Sequence, residues 1–466
     1  MEPTPQTAAV PIRSRDGTAL SLQLAGVFVF AAGLALIRFG TAEHVLVLVR
    51  WAALVVLAAA GFRRRSLTYW IFLAMLVGLE VGLDRPTAAV QLKLLSDIFL
   101  RLIKVIVAPL ILGTLITGVA GHGDIRKVGR IGWKSLLYFE VVTTIALVLG
   151  ILTINISRAG VGVAYPSRTA DATAQNVAQL KWDDFILHIF PENIVKAVGE
   201  NQILQVAVFA VLFAIALSRV TEKYRAPMLN LAESLTQTMF SLTKIVMYYA
   251  PIGVGAAMAY TVGHMGASVL LPLSKLILTA YAALLLFLFL VLLPIALFAR
   301  VPLKKFVRAV AEPATIAFAT STSEAALPRA MECMEEFGVP RRVVAFVIPA
   351  GYSFNLDGST LYLAVASVFV AQVAGIHMSV REQVFMVFAL MLTSKGIAGV
   401  PRAVVVVLLA TSSLFQLPTE PIFMILGVDT LVDMARTSVN VIGNCLASAV
   451  VAQWEGELGL PQIDSN

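Results

Sequence analysis

The sequence predicts an all-α protein that crosses a membrane many times, and three observations carry this prediction. Of its 466 residues, 59% are hydrophobic and only 14% are charged, whereas soluble domains carry roughly 25% charged residues. Apolar runs of about 20 residues recur along the chain, and a helix of about that length spans the hydrocarbon core of a bilayer. Basic residues stand in short clusters between these runs, as in the cytoplasmic loops of membrane proteins.

The order of apolar runs and basic clusters gives a topology. Clusters of Lys and Arg follow successive pairs of spans, and the excess of basic residues on the inner face places them and both termini in the cytoplasm. Arg38 and Arg50 do not fit this topology, because they flank the outer end of the first hairpin, where basic residues are not expected. The polar stretch 157–200 is expected to be a mobile outer loop. The predicted spans lie near residues 21–37, 45–62, 69–83, 98–120, 135–155, 203–219, 228–262 and 270–299.

Two later segments are too polar in the middle for ordinary spans. STSE, residues 321–324, interrupts the first, and SKGIAGVPR, residues 394–402, interrupts the second. Each is predicted to enter and leave the membrane by one face, since irregular backbone at that depth is tolerated only inside protein or beside water. Paired interruptions of this kind point to the binding site of a transporter. The two half-units are hairpin 308–335 with span 343–374, and hairpin 382–415 with span 420–453.

The last span carries a polar stripe whose members recur every three or four residues and so share one face of a helix. Ionisable residues in a span cost about 2.5–3.5 kcal/mol each and usually face an interior site. Arg436 can bind a carboxylate at two points and Asp433 can neutralise an ammonium group, which together fit glutamate or aspartate. The alternative is an internal Asp433–Arg436 pair that only neutralises itself. The stripe consists of Asp429, Asp433, Arg436, Thr437, Asn440 and Asn444.

The stretch SFNLDGST, residues 353–360, interrupts another apolar span. Its short polar residues compete with the helix for backbone hydrogen bonds, so the helix is expected to unwind around Gly358. Unwinding would turn carbonyls and side chains toward a central site, where Asp357 can hold a cation or a proton. The alternative is a kinked helix with locally satisfied polar groups, for which an aspartate is not needed.

Four stretches resemble a known family of transporters: YFEVVTT at 138–144, PAGYSFNLDGSTLY at 349–362, TSKGIAGVP at 393–401 and DMARTSVNVIGN at 433–444. From about residue 67 to 456 the chain resembles the dicarboxylate/amino acid:cation symporters, the glutamate transporter family. Within this family it most resembles the bacterial proton–glutamate/aspartate symporters. The resemblance implies eight core transmembrane helices, two re-entrant helical hairpins and a homotrimer, with a transport domain that slides like an elevator against a scaffold.

The same resemblance divides the chain into parts. Residues 67–300 would form six core helices, which make up the scaffold and parts of the transport domain. Residues 301–456 would form hairpin 1, the broken seventh helix, hairpin 2 and the eighth helix, and residues 457–466 a cytoplasmic tail. Residues 1–66 lie outside the usual core. Their two predicted spans form an extra hairpin, expected to be a passive appendage, with packing on the scaffold as the alternative.

The resemblance also assigns a substrate site. The tip of hairpin 1, at Ser321, Thr322 and Ser323, would hold the α-carboxylate of the substrate. Asp433 would bind the amino group and Arg436 the side-chain carboxylate. The remaining contacts would come from the tip of hairpin 2 and from nearby polar side chains, namely Gly399, Val400, Pro401, Ser359, Thr437 and Asn440.

Departures from the sodium-coupled members of the family favour protons as the coupling ion. Those members read Asn-Met-Asp-Gly-Thr where this chain has NLDGS, residues 355–359, and they carry a sodium-binding aspartate at the position of Asn444. They also place Thr and Tyr at the positions of Val142 and Phe139. Lys395 would repel a cation at another expected sodium position. Together these departures remove oxygen ligands that a hard cation needs.

A carboxylate in apolar surroundings can carry a proton. Glu140 is the preferred carrier and Asp357 the second, although a structural role for Glu140 is equally consistent with the sequence. Protons, or sodium as the alternative, are the expected co-transported ions, and neither a cofactor nor a resident metal is expected. The residues expected to bind or influence the coupled cation are Glu140, Asn355, Asp357, Asp429, Asn444 and Lys395.

Other classes of protein fit less well. A C4-dicarboxylate symporter on the same fold would place a second substrate carboxylate against Asp433, which would repel it. The five histidines are scattered, and the motifs of metalloproteases, P-loop enzymes and serine hydrolases are missing, which argues against an enzyme. Nucleic acid is not an expected partner, because the basic residues lie in membrane loops. The expected partners are an acidic amino acid, the bilayer of the bacterial inner membrane and further copies of the chain in a homotrimer.

Overall fold

The computed structural model shows a helical protein. Every regular element in the part of the chain that the structure describes is helical, and no strand occurs there. The predicted span 21–37 and the tip of the predicted second hairpin lie outside this part. The described residues are 43–64, 67–120, 125–163, 187, 190–200, 202–394, 404–405, 407–409, 415, 417–418 and 420–459.

The first helices follow the predicted spans. Within the described residues up to Met265 there are nine α-helices. They are α1 (Glu43–Arg64), α2 (Leu67–Asp84), α3 (Pro86–Gln91), α4 (Lys93–Ala120), α5 (Ile125–Ser157), α6 (Ile194–Gly199), α7 (Ile203–Ser218), α8 (Glu222–Met247) and α9 (Ala250–Met265).

The later helices include the two that flank the STSE interruption. A π-helical stretch, Leu288–Leu292, joins α10 to α11, so the predicted span 270–299 is continuously helical. The α-helices described after residue 269 are α10 (Leu270–Phe287), α11 (Leu293–Phe298), α12 (Leu303–Thr320), α13 (Ser323–Phe337), α14 (Arg341–Phe354), α15 (Asp357–Val373), α16 (Val380–Ser394) and α17 (Glu420–Glu455).

The predicted span at 228–262 is not one straight helix. The structure divides this apolar run into α8 and α9, which are bent by 55°. The break falls at Tyr248 and Tyr249, and Pro251 stands in the first turn of α9. Proline is favoured in a first turn, where the backbone N–H groups have no partner within the helix, whereas inside a longer helix it removes a hydrogen bond and clashes.

By length and hydropathy, four helical stretches of the described chain are able to cross a membrane, or five if the bent pair α8–α9 counts as one span. α1 and α7 contain shorter apolar stretches. Large apolar side chains such as Leu290 and Val141 are exposed on outward faces, as expected for helices that face lipid rather than water. The four stretches are Pro86–Thr117, Arg130–Ser157, Ala267–Phe298 and Arg341–Val373.

The polar stretch 157–200 is not all loop, because its described end contains the short helix α6. Asn193 caps this helix. Its Oδ1 accepts hydrogen bonds from the backbone N–H groups of Val195 and Lys196, at 2.8 and 3.2 Å. Such a cap satisfies donors that a helix leaves free at its start.

Two pairs of helices contain the polar interruptions. α12 and α13 meet at Ser321, which has a positive φ of 53°, and at the extended residue Thr322. A left-handed backbone is uncommon in residues other than glycine and is typical of functional sites. α14 and α15 are separated by Asn355 and Leu356. The helix therefore breaks inside SFNLDGST, just before Gly358.

α15 and α17 lie at the centre of the protein. Every residue of α15 from Asp357 to Ala371 is buried, and α17 packs against α9, α12, α14 and α15. At the periphery α2 packs on α9, where a Cβ atom on Gly78 would collide with the carbonyl of Gly255. This approach requires glycine. The polar residues of α15 and α17 are thus enclosed by other helices.

Candidate functional site

The polar stripe of α17 is buried. Each of its six residues is at most 5% exposed, and Asp429 and Asn444 are fully buried. Buried polar groups need hydrogen-bond partners inside the protein. The contacts of the stripe therefore define what the site can bind.

Arg436 joins two carboxylates on its own helix. Its Nη1 donates to Asp429 Oδ1 at 2.9 Å, and its Nε donates to Asp433 Oδ1 at 2.9 Å. Thr437 Oγ1 also donates to Asp433 Oδ1, at 3.3 Å. The spacing of seven and three residues from Arg436 brings both carboxylates to its face of the helix. The internal pair considered from the sequence is present, and Asp429 is a further member of it.

The guanidinium also contacts an aromatic ring. Its central carbon lies 5.1 Å from the centroid of the Tyr362 ring on α15, within the range of a cation–π contact. With both carboxylates ionised, one arginine and two aspartates leave the cluster with a net charge of −1. An excess charge is costly in a buried site. Counted over the described residues alone, these three side chains carry one more negative than positive charge.

Asn440 links the stripe to the broken helix. Its Oδ1 accepts from the backbone N–H groups of Gly358 and Ser359, at 2.8 and 3.2 Å, and its Nδ2 donates to Ser359 Oγ at 2.9 Å. These are the first N–H groups of α15, which have no partner within their own helix. A Cβ atom on Gly358 would collide with the Arg436 carbonyl. The glycine allows the start of α15 to lie against Arg436.

A second polar group lies one turn further along α17. Asn355 Nδ2 donates to Asp357 Oδ2 at 3.0 Å and to Asn444 Oδ1 at 3.1 Å. A Cβ atom on Gly443 would collide with Asp357 Oδ2. Within the described chain, Asn355 Oδ1 and Asn444 Nδ2 have no hydrogen-bond partner although both are buried. Unused buried polar atoms mark a place where a proton, water or cation can be bound.

The tip between α12 and α13 lies on helices that pack along α17. Ser321 and Ser323 are buried and Thr322 is half-buried. Ser321 Oγ has no hydrogen-bond partner among the described residues. α12 is attached to α17 by Ser438, whose Oγ donates to the Ala314 carbonyl at 3.0 Å. The tip thus offers an unused hydroxyl group on the helix pair α12–α13, which packs along the helix that carries the stripe.

The structure does not place all predicted site residues in one cluster. Glu140 is half-buried at the border between the buried face of α5 and an outward face that carries the exposed Leu137 and Val141. The predicted residues of the second hairpin lie outside the described part of the chain. They are Lys395, Gly399, Val400 and Pro401. Among the described residues, no group of three or more His, Cys, Asp or Glu side chains could hold a metal ion.

Tyr362, Gly443 and Gly351 lie in the site but are not among the residues that the sequence predicts there. Tyr362 could have been found, because it lies three residues after Ser359 and so shares its face of α15. The glycines gave no such signal. A Cβ atom on Gly351 would collide with the Asn444 side chain, a contact between α14 and α17 that no local pattern predicts.

A broken helix, a hairpin with a left-handed tip and a buried ionisable cluster, set in a mostly apolar chain, define a membrane transporter. Residues 67–454 match the family model described as the sodium:dicarboxylate symporter family. The chain belongs to this family, which confirms the resemblance seen in its motifs. It is therefore an integral membrane symporter rather than an enzyme.

Relatives are similar over most of their length. A proton/sodium-glutamate symport protein of Bacillus caldotenax is 41% identical over 404 residues, 85% of this chain and 96% of the relative. A C4-dicarboxylate transport protein of Solibacter usitatus (strain Ellin6076) is 43% identical over 401 residues, 85% of this chain and 94% of the relative. A proton/glutamate-aspartate symporter of Escherichia coli (strain K12) is 41% identical over 409 residues, 84% of this chain and 93% of the relative.

Proposed function

We propose that the protein is a secondary active symporter that imports L-glutamate or L-aspartate together with protons across the bacterial inner membrane. One observation carries the substrate class: two buried carboxylates, Asp429 and Asp433, share the single guanidinium of Arg436. Such a cluster offers a cation for a substrate carboxylate and an anion for an ammonium group. The names of the relatives from B. caldotenax and E. coli, which mention glutamate and aspartate, support the same class.

Charge supports the amino acid over a dicarboxylate, the other substrate class that the family name and the relatives bring into question. Among the described residues, Arg436, Asp429 and Asp433 sum to −1 with both carboxylates ionised. A dicarboxylate with a charge of −2 would bring the total to −3, whereas an acidic amino acid with a net charge of −1 would bring it to −2. Excess buried charge is costly, so the amino acid needs less compensation. A co-transported proton would supply part of it.

In the proposed complex the substrate replaces contacts within the cluster. Its side-chain carboxylate takes one edge of the Arg436 guanidinium, a planar fork suited to carboxylates. Asp433, released from part of its contact with Arg436, accepts from the ammonium group, and Thr437 and Asn440 supply further polar contacts. The two hairpins complete the site through Ser321, Thr322 and Ser323 on one side, and Gly399, Val400 and Pro401 on the other, and Ser359 of the broken helix lines the same pocket.

Proton coupling is proposed to use the second polar group. Asn444 supplies an amide where an anionic oxygen would suit sodium, and Asn355 and Asn444 have unused polar atoms. Asp357, fully buried beside them, is a proton carrier that the geometry favours alongside Glu140. Asp429 would adjust its contact with Arg436 as the substrate binds, and Lys395 would disfavour a cation.

The family resemblance supports the rest of the mechanism. The protein would assemble as a homotrimer, with eight core helices and two re-entrant hairpins per chain and with both termini in the cytoplasm. Residues 301–456 would move with part of residues 67–300 as an elevator.

A transport assay tests the proposal. Purified protein in liposomes would receive labelled aspartate, glutamate or succinate, with a pH gradient and a sodium gradient imposed separately. We expect uphill uptake of the amino acids, but not of succinate, when the interior is alkaline and sodium is absent. Equal uptake of succinate would refute the amino-acid assignment and favour a C4-dicarboxylate symporter, as named for the S. usitatus relative. Uptake driven by sodium alone would refute proton coupling.

A further inference from the structure

Arg50, one of the two basic residues that do not fit the predicted topology, is buried against α2. Its Nε donates to both carboxylate oxygens of Glu80, at 2.8 and 2.9 Å, and its Nη2 lies 3.5 Å from Asp84 Oδ1. Trp51 Nε1 donates to Asp84 Oδ2 at 2.8 Å. Arg50 is 3% exposed and Glu80 is fully buried. We call Arg50, Glu80 and Asp84 the N-terminal charge cluster.

The two sides of this cluster come from different parts of the chain. Glu80 and Asp84 are the only charged residues of α2, which otherwise reads as an apolar helix. They lie inside the stretch that matches the family model, which begins at residue 67, whereas Arg50 lies before it. A buried carboxylate without a partner is strongly destabilising. The helix that precedes the family core therefore supplies the charge that Glu80 requires.

Other contacts hold α1 and α2 together. Tyr69 Oη donates to the Leu57 carbonyl at 2.5 Å, and a Cβ atom on Gly61 would reach the Tyr69 ring at 2.5 Å. On its other side α2 packs through Gly78 on α9, and it also touches α17. α2 is thus fixed between α1 and the centre of the protein.

We propose that α1 is a fixed structural part of the transporter and that its role is to neutralise Glu80 within the membrane. α1 is then not the passive appendage expected from the sequence. The part of the chain that matches the family contains the buried carboxylate of Glu80, and among the described residues only α1 supplies a positive charge to balance it. α1 would have this role whichever substrate or coupling ion the protein transports.

Thermal stability of the full-length protein tests this proposal. Arg50→Met leaves Glu80 buried without its cation, and we expect the melting temperature of the purified protein in detergent to fall by on the order of 10 °C. Arg50→Met combined with Glu80→Met removes both charges and keeps apolar side chains in the contact, so most of the loss should be recovered. The measurement is the fraction of protein that elutes as the assembled species after heating.

The matched control is Glu222→Met, because Glu222 forms an ion pair with Arg225 in which its own side chain is 70% exposed. Exposed pairs contribute little, so the melting temperature of this variant should not change. If Arg50→Met yields no folded protein, the recovered yield of the double variant serves as the readout. A melting temperature of Arg50→Met equal to that of the wild type, or a double variant no better than Arg50→Met, would overturn the proposal.

Discussion

Two clusters around buried arginines in this protein have the same composition, one arginine and two carboxylates, and different architectures. Arg436, Asp429 and Asp433 lie on one helix, α17. In the N-terminal charge cluster the arginine lies on α1 and the carboxylates on α2. In the first case the helical repeat alone sets the spacing, so the ion pairs join no second element. In the second case they join two helices.

The surroundings of the two clusters differ. Beside Arg436 a broken helix begins at Asp357, and the tip of the helix pair α12–α13, which packs on α17, has in Ser321 Oγ a hydroxyl without a partner among the described residues. Arg50 and its two carboxylates lie instead on two regular helices, α1 and α2. Irregular backbone with unused polar atoms, rather than buried charge alone, therefore distinguishes a candidate binding site from a structural contact.

The largest effect is expected from exchanging the arginines for lysine. Arg436→Lys keeps the charge but loses the planar fork, and we expect kcat/KM for glutamate uptake to fall on the order of 100-fold with the yield of assembled protein maintained. Arg50→Lys should change uptake per assembled protein by less than about threefold and mainly affect thermal stability. Equal losses of uptake in both variants would contradict the assignment of Arg436 to substrate binding and of Arg50 to structure.

A smaller and more selective effect is expected at the aspartates. Asp433→Asn removes the anion proposed to face the ammonium group, and we expect roughly 30-fold weaker uptake of aspartate. Succinate lacks that group, so competition by succinate should weaken far less, or strengthen. Asp84→Asn is the control in the other cluster and should leave both substrates unaffected. Parallel loss of aspartate and succinate recognition in Asp433→Asn would count against the proposed orientation.

The link between the stripe and the broken helix predicts a further, more modest loss. Asn440→Ala leaves the N–H groups of Gly358 and Ser359 without their cap, and losing a cap costs about 1 kcal/mol. We expect roughly a fivefold to tenfold loss of substrate affinity, measured by binding titration. Asn193→Ala removes the cap of α6 instead and should leave affinity unchanged. An unaltered affinity in Asn440→Ala would show that the start of α15 is held by other contacts.

The smallest effect concerns a polar contact at the end of α17. A hydrogen bond from Lys134, with Arg130 adding a second, lowers the pKa of Glu455 below its ordinary value, although partial burial opposes this. This stabilisation is present above the ordinary carboxyl pKa and is lost as pH falls through the lower value in the folded protein. Glu455→Gln should therefore reduce stability by at most about 1 kcal/mol near pH 7. The difference in melting temperature between Glu455→Gln and the wild type should vanish toward pH 3. A difference that grows as the pH falls would contradict this account.

Much of the fold could be predicted because it rests on local patterns. Apolar runs of membrane length predicted α2, α4, α5 and α7, and the interruptions at STSE and SFNLDGST predicted where helices end. The bend inside 228–262 was not predicted, because hydropathy is continuous there and the break lies just before Pro251, in the first turn of α9. In the candidate site, the periodicity of α17 predicted that Asp433 and Arg436 share a face.

Contacts between distant segments could not be predicted in this way. Nothing in a local pattern shows that Tyr362 stacks on Arg436 or that Gly351 makes room for Asn444. The same holds for Arg50, which appeared from the sequence to violate the topology and which the structure pairs with Glu80.

Hydropathy and helical periodicity act over a few residues, and they were enough to predict a helical membrane transporter with a polar stripe on its last helix. The contacts of Arg436 with Asp429 and Asp433 follow from that periodicity, since all three lie on α17. The contact of Arg50 with Glu80 and the polar groups around Arg436 depend instead on distances between different helices, which the packing of glycines and broken helices sets. For this reason one arginine lies beside unused polar groups suited to a ligand, and the other fixes a helix against its neighbour.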